Sequence, residues 1–119
     1  MGKILIIEDE NDIAQLLKVN LSKQNWDIEI ANDGYSAVKT ILNNKPNLIL
    51  LDLGLPYLEG DMVISLFNEK KLTNDIPVII MSAKPEEEIK KAQQKIGAKT
   101  YIKKPIDFEK LIDLIKKNI

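Results

Sequence analysis

Near its start the chain has an aliphatic run that ends in two acids, Lys3-Ile4-Leu5-Ile6-Ile7-Glu8-Asp9. A second aliphatic run, Leu48-Ile49-Leu50-Leu51, is followed by one more acid, Asp52. Short, uninterrupted aliphatic runs are typical of strands that are buried on both faces of a parallel sheet. Acids that follow such strands lie at the edge where open α/β sheets bind their ligands. The two runs therefore predict an α/β fold with carboxylates gathered at one edge of its sheet.

The rest of the chain alternates between strand-like and helix-like patterns, with no repeat or linker. This alternation predicts one doubly wound domain over residues 1–119, with a five-stranded parallel sheet and five helices. The flavodoxin-like strand order 2-1-3-4-5 is borrowed from known folds of this kind, and it makes the first and third strands neighbours. The other strands are expected at 27–31, 76–81 and 99–103, and the helices at about 11–24, 35–44, 85–96 and 108–118, with one more carrying Met62, Val63, Leu66 and Phe67.

Apolar residues form a stripe along two of the predicted helices. Asn11 or Asp12 can cap the first helix, and its apolar face is expected to hold Ile13, Leu16, Leu17 and Leu21. The helix over 85–96 has a thin stripe and ends at a glycine suited to a left-handed cap. Because little apolar area anchors that helix, we expect it to be among the easier elements to shift.

Composition excludes several classes of function. The chain has 17 basic and 18 acidic residues, so its formal charge of −1 gives no global attraction to nucleic acid or to an anionic membrane. Every basic residue is lysine, and both histidine and cysteine are absent. Disulfides, a typical zinc site and a histidine general base are therefore excluded. No signal peptide or membrane span is evident, and a cytoplasmic protein is expected.

Carboxylates that converge at one edge of a sheet repel one another unless a cation joins them. Such oxygen ligands suit a hard divalent metal, and Mg²⁺ is the first choice. The candidate ligands are Glu8, Asp9 and Asp52. Ser82 follows the fourth strand and Lys104 follows the fifth, so both are expected at the same edge. The sequence predicts a site with three carboxylates, one hydroxyl and one ammonium group.

From Lys3 to the last helix, the chain resembles the receiver domain of two-component response regulators. Each matching segment is weakly specific alone, but five in register at strand ends are a strong signal. The segments are Ile-Ile-Glu8-Asp9, Asn32-Asp33-Gly34, Asp52-Leu53-Gly54-Leu55-Pro56 with Gly60, Met81-Ser82-Ala83, and Gly97-Ala98 followed by Tyr101-Ile102-Lys103-Lys104-Pro105.

The resemblance implies that Asp52 accepts a phosphoryl group and forms an acyl phosphate. It assigns the Mg²⁺ ligands to Asp9, Asp52 and the backbone carbonyl of Gly54, with Glu8 acting mainly through bound water. Lys104 would hold the phosphoryl group by its charge.

The resemblance also implies that Ser82 donates a hydrogen bond to the phosphoryl group. Ser82 and Tyr101 would then act as switch residues, with Tyr101 turning inward as Ser82 moves toward the phosphate. The Lys104–Pro105 peptide bond is expected to be cis.

The function implied is a phosphorylation-controlled signalling switch rather than a turnover enzyme. A sensor histidine kinase or a histidine phosphotransfer protein would supply the phosphoryl group. The surface around the predicted fourth helix, fifth strand and fifth helix would shift and act on a downstream protein or on an output domain. The alternative is a phosphorylation-independent, receiver-like interaction module.

Plainer roles exist for single members of the set. Glu8 and Asp9 could form a solvated acidic turn at a helix N-terminus. Ser82 is often a turn former in such a position, and Tyr101 could be an ordinary packed aromatic residue. Lys103 competes with Lys104, and the position before the proline favours Lys104.

Overall fold

The computed structural model describes residues 2–54, 67–69, 71 and 74–119. Five parallel strands form one sheet in the order β2-β1-β3-β4-β5, which confirms the predicted order. The strands are β1 (Lys3–Ile7), β2 (Asp27–Ala31), β3 (Leu48–Asp52), β4 (Val78–Ser82) and β5 (Thr100–Lys103).

Four helices lie in the described ranges: α1 (Asn11–Ser22), α2 (Gly34–Asn43), α3 (Glu86–Ile96) and α4 (Phe108–Asn118). The predicted helix that carries Met62, Val63 and Leu66 lies outside these ranges, although residues 67–69 are helical. None of the helices in the described part of the chain has the length and apolar character needed to cross a membrane.

The sheet is buried on both faces because its strands send alternate side chains to opposite sides. One core cluster contains Leu5, Ile49 and Ile80 and is covered by α2 and α3. The other contains Ile6, Leu50 and Met81 and is covered by α1 and α4. This arrangement explains why β1, β3 and β4 read as continuous aliphatic runs.

The predicted apolar face of α1 is confirmed for Leu17, Leu21 and the partly buried Ile13, but it is wrong for Leu16. Its buried residues are Ala14, Leu17 and Leu21, whereas Leu16 is 55% exposed. The helix begins at Asn11, and Glu10 occupies the N-cap without a capping hydrogen bond from its side chain. Neither Asn11 nor Asp12 is therefore the cap, and the chain reaches the helix directly from the acidic turn.

Other helix ends follow local sequence signals. The Asp33 carboxylate accepts a hydrogen bond from the backbone N–H of Ser36 and caps α2. Asp107 caps α4 in the same way. Gly97 has a φ of 77° and ends α3, as expected of a left-handed glycine cap. The apolar stripe of α3 is as thin as predicted, with Ile89 and Ile96 fully buried.

Candidate functional site

The strand order gathers the acids at the carboxyl edge of the sheet. Glu8 and Asp9 follow β1, and Asp52 is the last residue of the adjacent β3. One carboxylate oxygen from each of these residues lies within 4.8 Å of the others. Glu8 is fully buried and Asp52 nearly so, whereas Asp9 is exposed. The predicted carboxylate cluster is thus present, with one member facing solvent.

Lys104 provides the positive charge within this cluster. Its Nζ atom lies 3.2 Å from Oδ2 of Asp52 and 3.6 Å from Oε1 of Glu8. The backbone N–H of Lys104 donates to the carbonyl of Ser82 at 2.9 Å, which ties the end of β5 to the end of β4. The peptide bond between Lys104 and Pro105 is cis. Lys103 is exposed, and its charge acts instead on Glu86.

The Asp52 carboxylate also accepts a hydrogen bond from the loop that follows β3. The backbone N–H of Gly54 donates to Oδ1 of Asp52 at 2.9 Å. A Cβ atom at position 54 would lie 3.3 Å from the same oxygen, which is tighter than most side chains tolerate. The loop therefore approaches the carboxylate so closely that glycine suits this position best.

The buried carboxylates share a proton when no metal is bound. Burial is the main factor that raises the pKa of Glu8 to about 8, and the hydrogen bond and negative charge of Asp52 add to it. Burial also acts to raise the pKa of Asp52, but the hydrogen bonds from Glu8 and Gly54 and the charge of Lys104 outweigh it and lower that pKa. At neutral pH the metal-free site thus holds a protonated Glu8 beside an ionised Asp52.

Ser82 lies at the end of β4, one residue beyond the register partner of Asp52. Its hydroxyl is almost fully buried, and its Oγ atom accepts a hydrogen bond from the backbone N–H of Lys84 at 3.0 Å. A serine hydroxyl can both accept and donate, so the same group can also donate its proton to an acceptor.

Tyr101 lies on β5 and is half-buried against the core cluster that contains Ile89 and Ile96. Its hydroxyl donates a hydrogen bond to the Glu86 carboxylate in the first turn of α3. Sequence reasoning missed this contact, because no periodicity or motif marks Glu86 among the three consecutive acids that begin the helix.

An open cleft of about 320 Å³ is bordered by Asp9, Asp52, Ser82 and Lys104. A larger cleft of about 450 Å³ lies near Trp26 and Ile119, at the opposite end of the sheet, so chemistry rather than size distinguishes the candidate site. The polar residues that line the smaller cleft are Asp9, Glu10, Asp52, Ser82, Lys84 and Lys104, together with Gly54.

The residues fit a divalent cation. Three carboxylates supply the oxygen ligands that Mg²⁺ prefers. Within the described residues, Oε1 of Glu8 is buried without a hydrogen-bond partner, and the Lys104 ammonium group lies 3.6 Å from it. A buried oxygen in this position is expected when a further positive charge completes the site.

The chain belongs to the response regulator receiver domain family. The family model described as "Response regulator receiver domain" matches residues 4–116. Response regulator ArlR of Staphylococcus saprophyticus subsp. saprophyticus is 38% identical over 116 residues. That alignment covers 98% of this chain but 51% of the relative, so the chain spans about half the length of the curated protein it matches.

Solved structures show the same fold. The receiver domain of Francisella response regulator 1452 is 30% identical, with a TM-score of 0.85, 98% of this chain covered and 95% of that one. The chemotaxis protein CheY4 of Vibrio cholerae superimposes with a TM-score of 0.88, covering 100% of this chain and 99% of that one. Because its identity is 21%, this second likeness concerns the fold alone.

Proposed function

We propose that this chain is a phosphorylation-dependent signalling switch in which Asp52 accepts the phosphoryl group. One observation carries the proposal: the ionised Asp52 carboxylate ends a central strand beside Glu8, Asp9 and the ammonium group of Lys104. A carboxylate oxygen in this setting is a nucleophile with charge stabilisation already in place.

In the proposed transfer, a carboxylate oxygen of Asp52 attacks the phosphorus of a phosphohistidine on a partner protein. The new P–O bond forms as the P–N bond breaks, and the imidazole leaves with the bonding electron pair. Hydrolysis reverses the modification: water attacks the phosphorus, inorganic phosphate leaves, and the carboxylate is regenerated. The chain acts in this scheme as a signalling domain and not as a turnover enzyme.

Mg²⁺ would be held by Asp9, Asp52 and the backbone carbonyl of Gly54, with Glu8 acting mainly through bound water. When bound, the ion supplies positive charge that screens the carboxylate and the phosphoryl oxygens. We expect Glu8 to lose its proton when the ion binds, because a nearby positive charge favours the ionised form of a carboxyl group.

In this proposal Lys104 pairs with the Asp52 carboxylate and also binds the phosphoryl group. Its Nζ atom is 3.2 Å from Oδ2 of Asp52, so a phosphoryl group on Asp52 would come within reach of the same ammonium group. The Ser82 hydroxyl ends the neighbouring strand and would donate a hydrogen bond to another phosphoryl oxygen. Together, Lys104 and Ser82 would replace solvent around the phosphoryl charge.

We propose that the signal leaves through α3, β5 and α4, with Ser82 and Tyr101 as the moving side chains. Residues 1–119 would form one receiver domain in the cytoplasm. Its partners would be a sensor histidine kinase or a histidine phosphotransfer protein, and a downstream protein or an output domain.

Acetyl phosphate tests the proposal without a partner protein. We expect intact-mass spectrometry to show the gain of one phosphoryl group in the presence of Mg²⁺ and no gain in the Asp52→Ala variant. A gain that persists in this variant would show that the nucleophile is another residue. No gain, together with no Mg²⁺ binding, would favour a phosphorylation-independent interaction module.

A further inference from the structure

The segment that connects the site to Tyr101 is short and held at both ends. Ser82, at the site, accepts a hydrogen bond from the backbone N–H of Lys84 at 3.0 Å. Two residues later α3 begins with Glu86, whose carboxylate accepts the hydrogen bond from the Tyr101 hydroxyl. A displacement of Ser82 and Lys84 toward the cleft would therefore move the residue that holds Tyr101.

The Glu86 carboxylate is well suited to hold a hydroxyl group. The hydrogen bond from Tyr101 is the main factor that lowers the pKa of Glu86, followed by the charge of Lys90, and the charge of Lys103 acts in the same direction. The group is therefore an ionised acceptor at neutral pH, and hydrogen bonds to ionised acceptors are stronger than those to neutral ones.

The contact belongs to one conformation of Tyr101 only. In this structure the ring is half-buried against the core cluster of Ile89 and Ile96, and the hydroxyl lies at the surface on Glu86. If the Tyr101 ring turned inward, its hydroxyl would leave Glu86. The hydrogen bond thus stabilises the surface position at the expense of the inward one.

We propose that Glu86 is an autoinhibitory latch, which holds Tyr101 at the surface in the unphosphorylated protein and must release it when Asp52 is phosphorylated. The inference rests on the proposed function, because it assigns a residue that opposes the proposed switch. A contact made only in the resting conformation lowers the affinity of the protein for any ligand that favours the phosphorylated conformation, such as a phosphoryl mimic. By linkage, removing the contact raises that affinity by the same factor.

Glu86→Ala and Glu87→Ala form a matched pair for the test. Both remove one exposed acid from the first turn of α3, so both lose the same helix-dipole interaction. Their side chains point about 100° apart around the helix, and Glu86 is the one that contacts Tyr101. Any effect of the helix dipole or of helix stability alone should therefore appear in both variants.

The first measurement is NMR of the protein with ¹³C-labelled tyrosine rings. The chain has three tyrosines, and Tyr101→Phe identifies the Tyr101 signal by its loss. In the unphosphorylated protein, we expect Glu86→Ala to move this signal toward its position in the protein saturated with Mg²⁺ and beryllium fluoride, a phosphoryl mimic. Glu87→Ala should leave the signal in place. If the two variants give the same Tyr101 signal, the latch is refuted.

The second measurement is the affinity for beryllium fluoride at saturating Mg²⁺. We expect Glu86→Ala to raise it about two- to fivefold, the range of exposed charge-assisted contacts. The gain should vanish in a Tyr101→Phe background, because the partner of Glu86 is then absent. An equal gain with Phe at position 101 would refute the latch.

The two proposals can fail separately. If the wild-type protein binds no beryllium fluoride, the proposed function fails and the autoinhibitory role of Glu86 fails with it. If the wild type binds the mimic and the two alanine variants bind it equally, the proposed function survives and the latch alone is refuted.

Discussion

Glu8→Gln should stabilise the metal-free protein at neutral pH, although Glu8 belongs to the candidate site. The glutamine has the shape of a protonated glutamate but cannot ionise. In the folded protein the pKa of Glu8 is about 8, against an ordinary value of 4.5. At pH 7 folding must therefore protonate this side chain, which costs on the order of 3 kcal/mol.

The sign of the pH dependence follows from the raised pKa. A group whose pKa is raised by folding favours the folded state below its unfolded value of 4.5, and this contribution is lost as the pH rises toward 8. Asp52 has a lowered pKa, so its contribution is complete above about pH 5 and stays constant over this window. The wild-type free energy of unfolding should thus fall between pH 5 and pH 8 by roughly 1 kcal/mol per pH unit, and that of Glu8→Gln should not.

Urea unfolding in the presence of EDTA measures this difference. Trp26 is the single tryptophan and packs against a core cluster, so its fluorescence reports the unfolding of the core. Glu10→Gln is the matched control, because Glu10 is an exposed acid in the same turn. Parallel stability profiles for the wild type and Glu8→Gln between pH 5 and pH 8 would refute the shared-proton account of the site.

Four further results are expected. Mg²⁺ affinity measured by calorimetry should rise between pH 6 and pH 8, because Glu8 gives up its proton on binding; a flat profile would show that the proton does not compete with the metal. Lys104→Gln should slow phosphorylation by acetyl phosphate on the order of 100-fold, whereas Lys103→Gln should stay close to the wild type, and equal rates would remove the role of Lys104. Gly54→Asn should alter the rate of dephosphorylation followed by mass spectrometry, since a side chain there meets the Asp52 carboxylate, and an unchanged rate would end this idea. Leu17→Ala should lower the free energy of unfolding by about 2–5 kcal/mol and Leu16→Ala by less than about 0.5 kcal/mol, a contrast that urea unfolding would contradict if the two losses were similar.

The sheet could be predicted because its central strands are buried on both faces. Such burial leaves runs of aliphatic residues, as in Leu48–Leu51, that no exposed strand or amphipathic helix shares. The acids and Lys104 could be predicted as a group because strand ends in a parallel sheet meet at one edge. Their order of adjacency was borrowed from known folds, since periodicity carries no information about strand order.

The failures have a different origin. Leu16 and Leu17 are neighbours in the sequence and equally apolar, so the pattern alone could not show that Leu17 is buried and Leu16 exposed. The contact between Tyr101 and Glu86 depends on the rotamers of two side chains from separate elements, which no sequence spacing encodes. The raised pKa of Glu8 likewise arises mainly from burial. The sequence could not predict this burial, because Glu8 is fully buried although the two acids that follow it are exposed.

The most direct test of the central claim is to locate the phosphoryl group. The protein treated with acetyl phosphate and Mg²⁺ would be reacted with hydroxylamine, which converts an acyl phosphate into a stable hydroxamate, and then digested for peptide mass spectrometry. We predict a single hydroxamate, at Asp52, that is absent when Mg²⁺ is omitted. A hydroxamate at Glu8 or Asp9, or a phosphoryl group that resists hydroxylamine, would contradict the account.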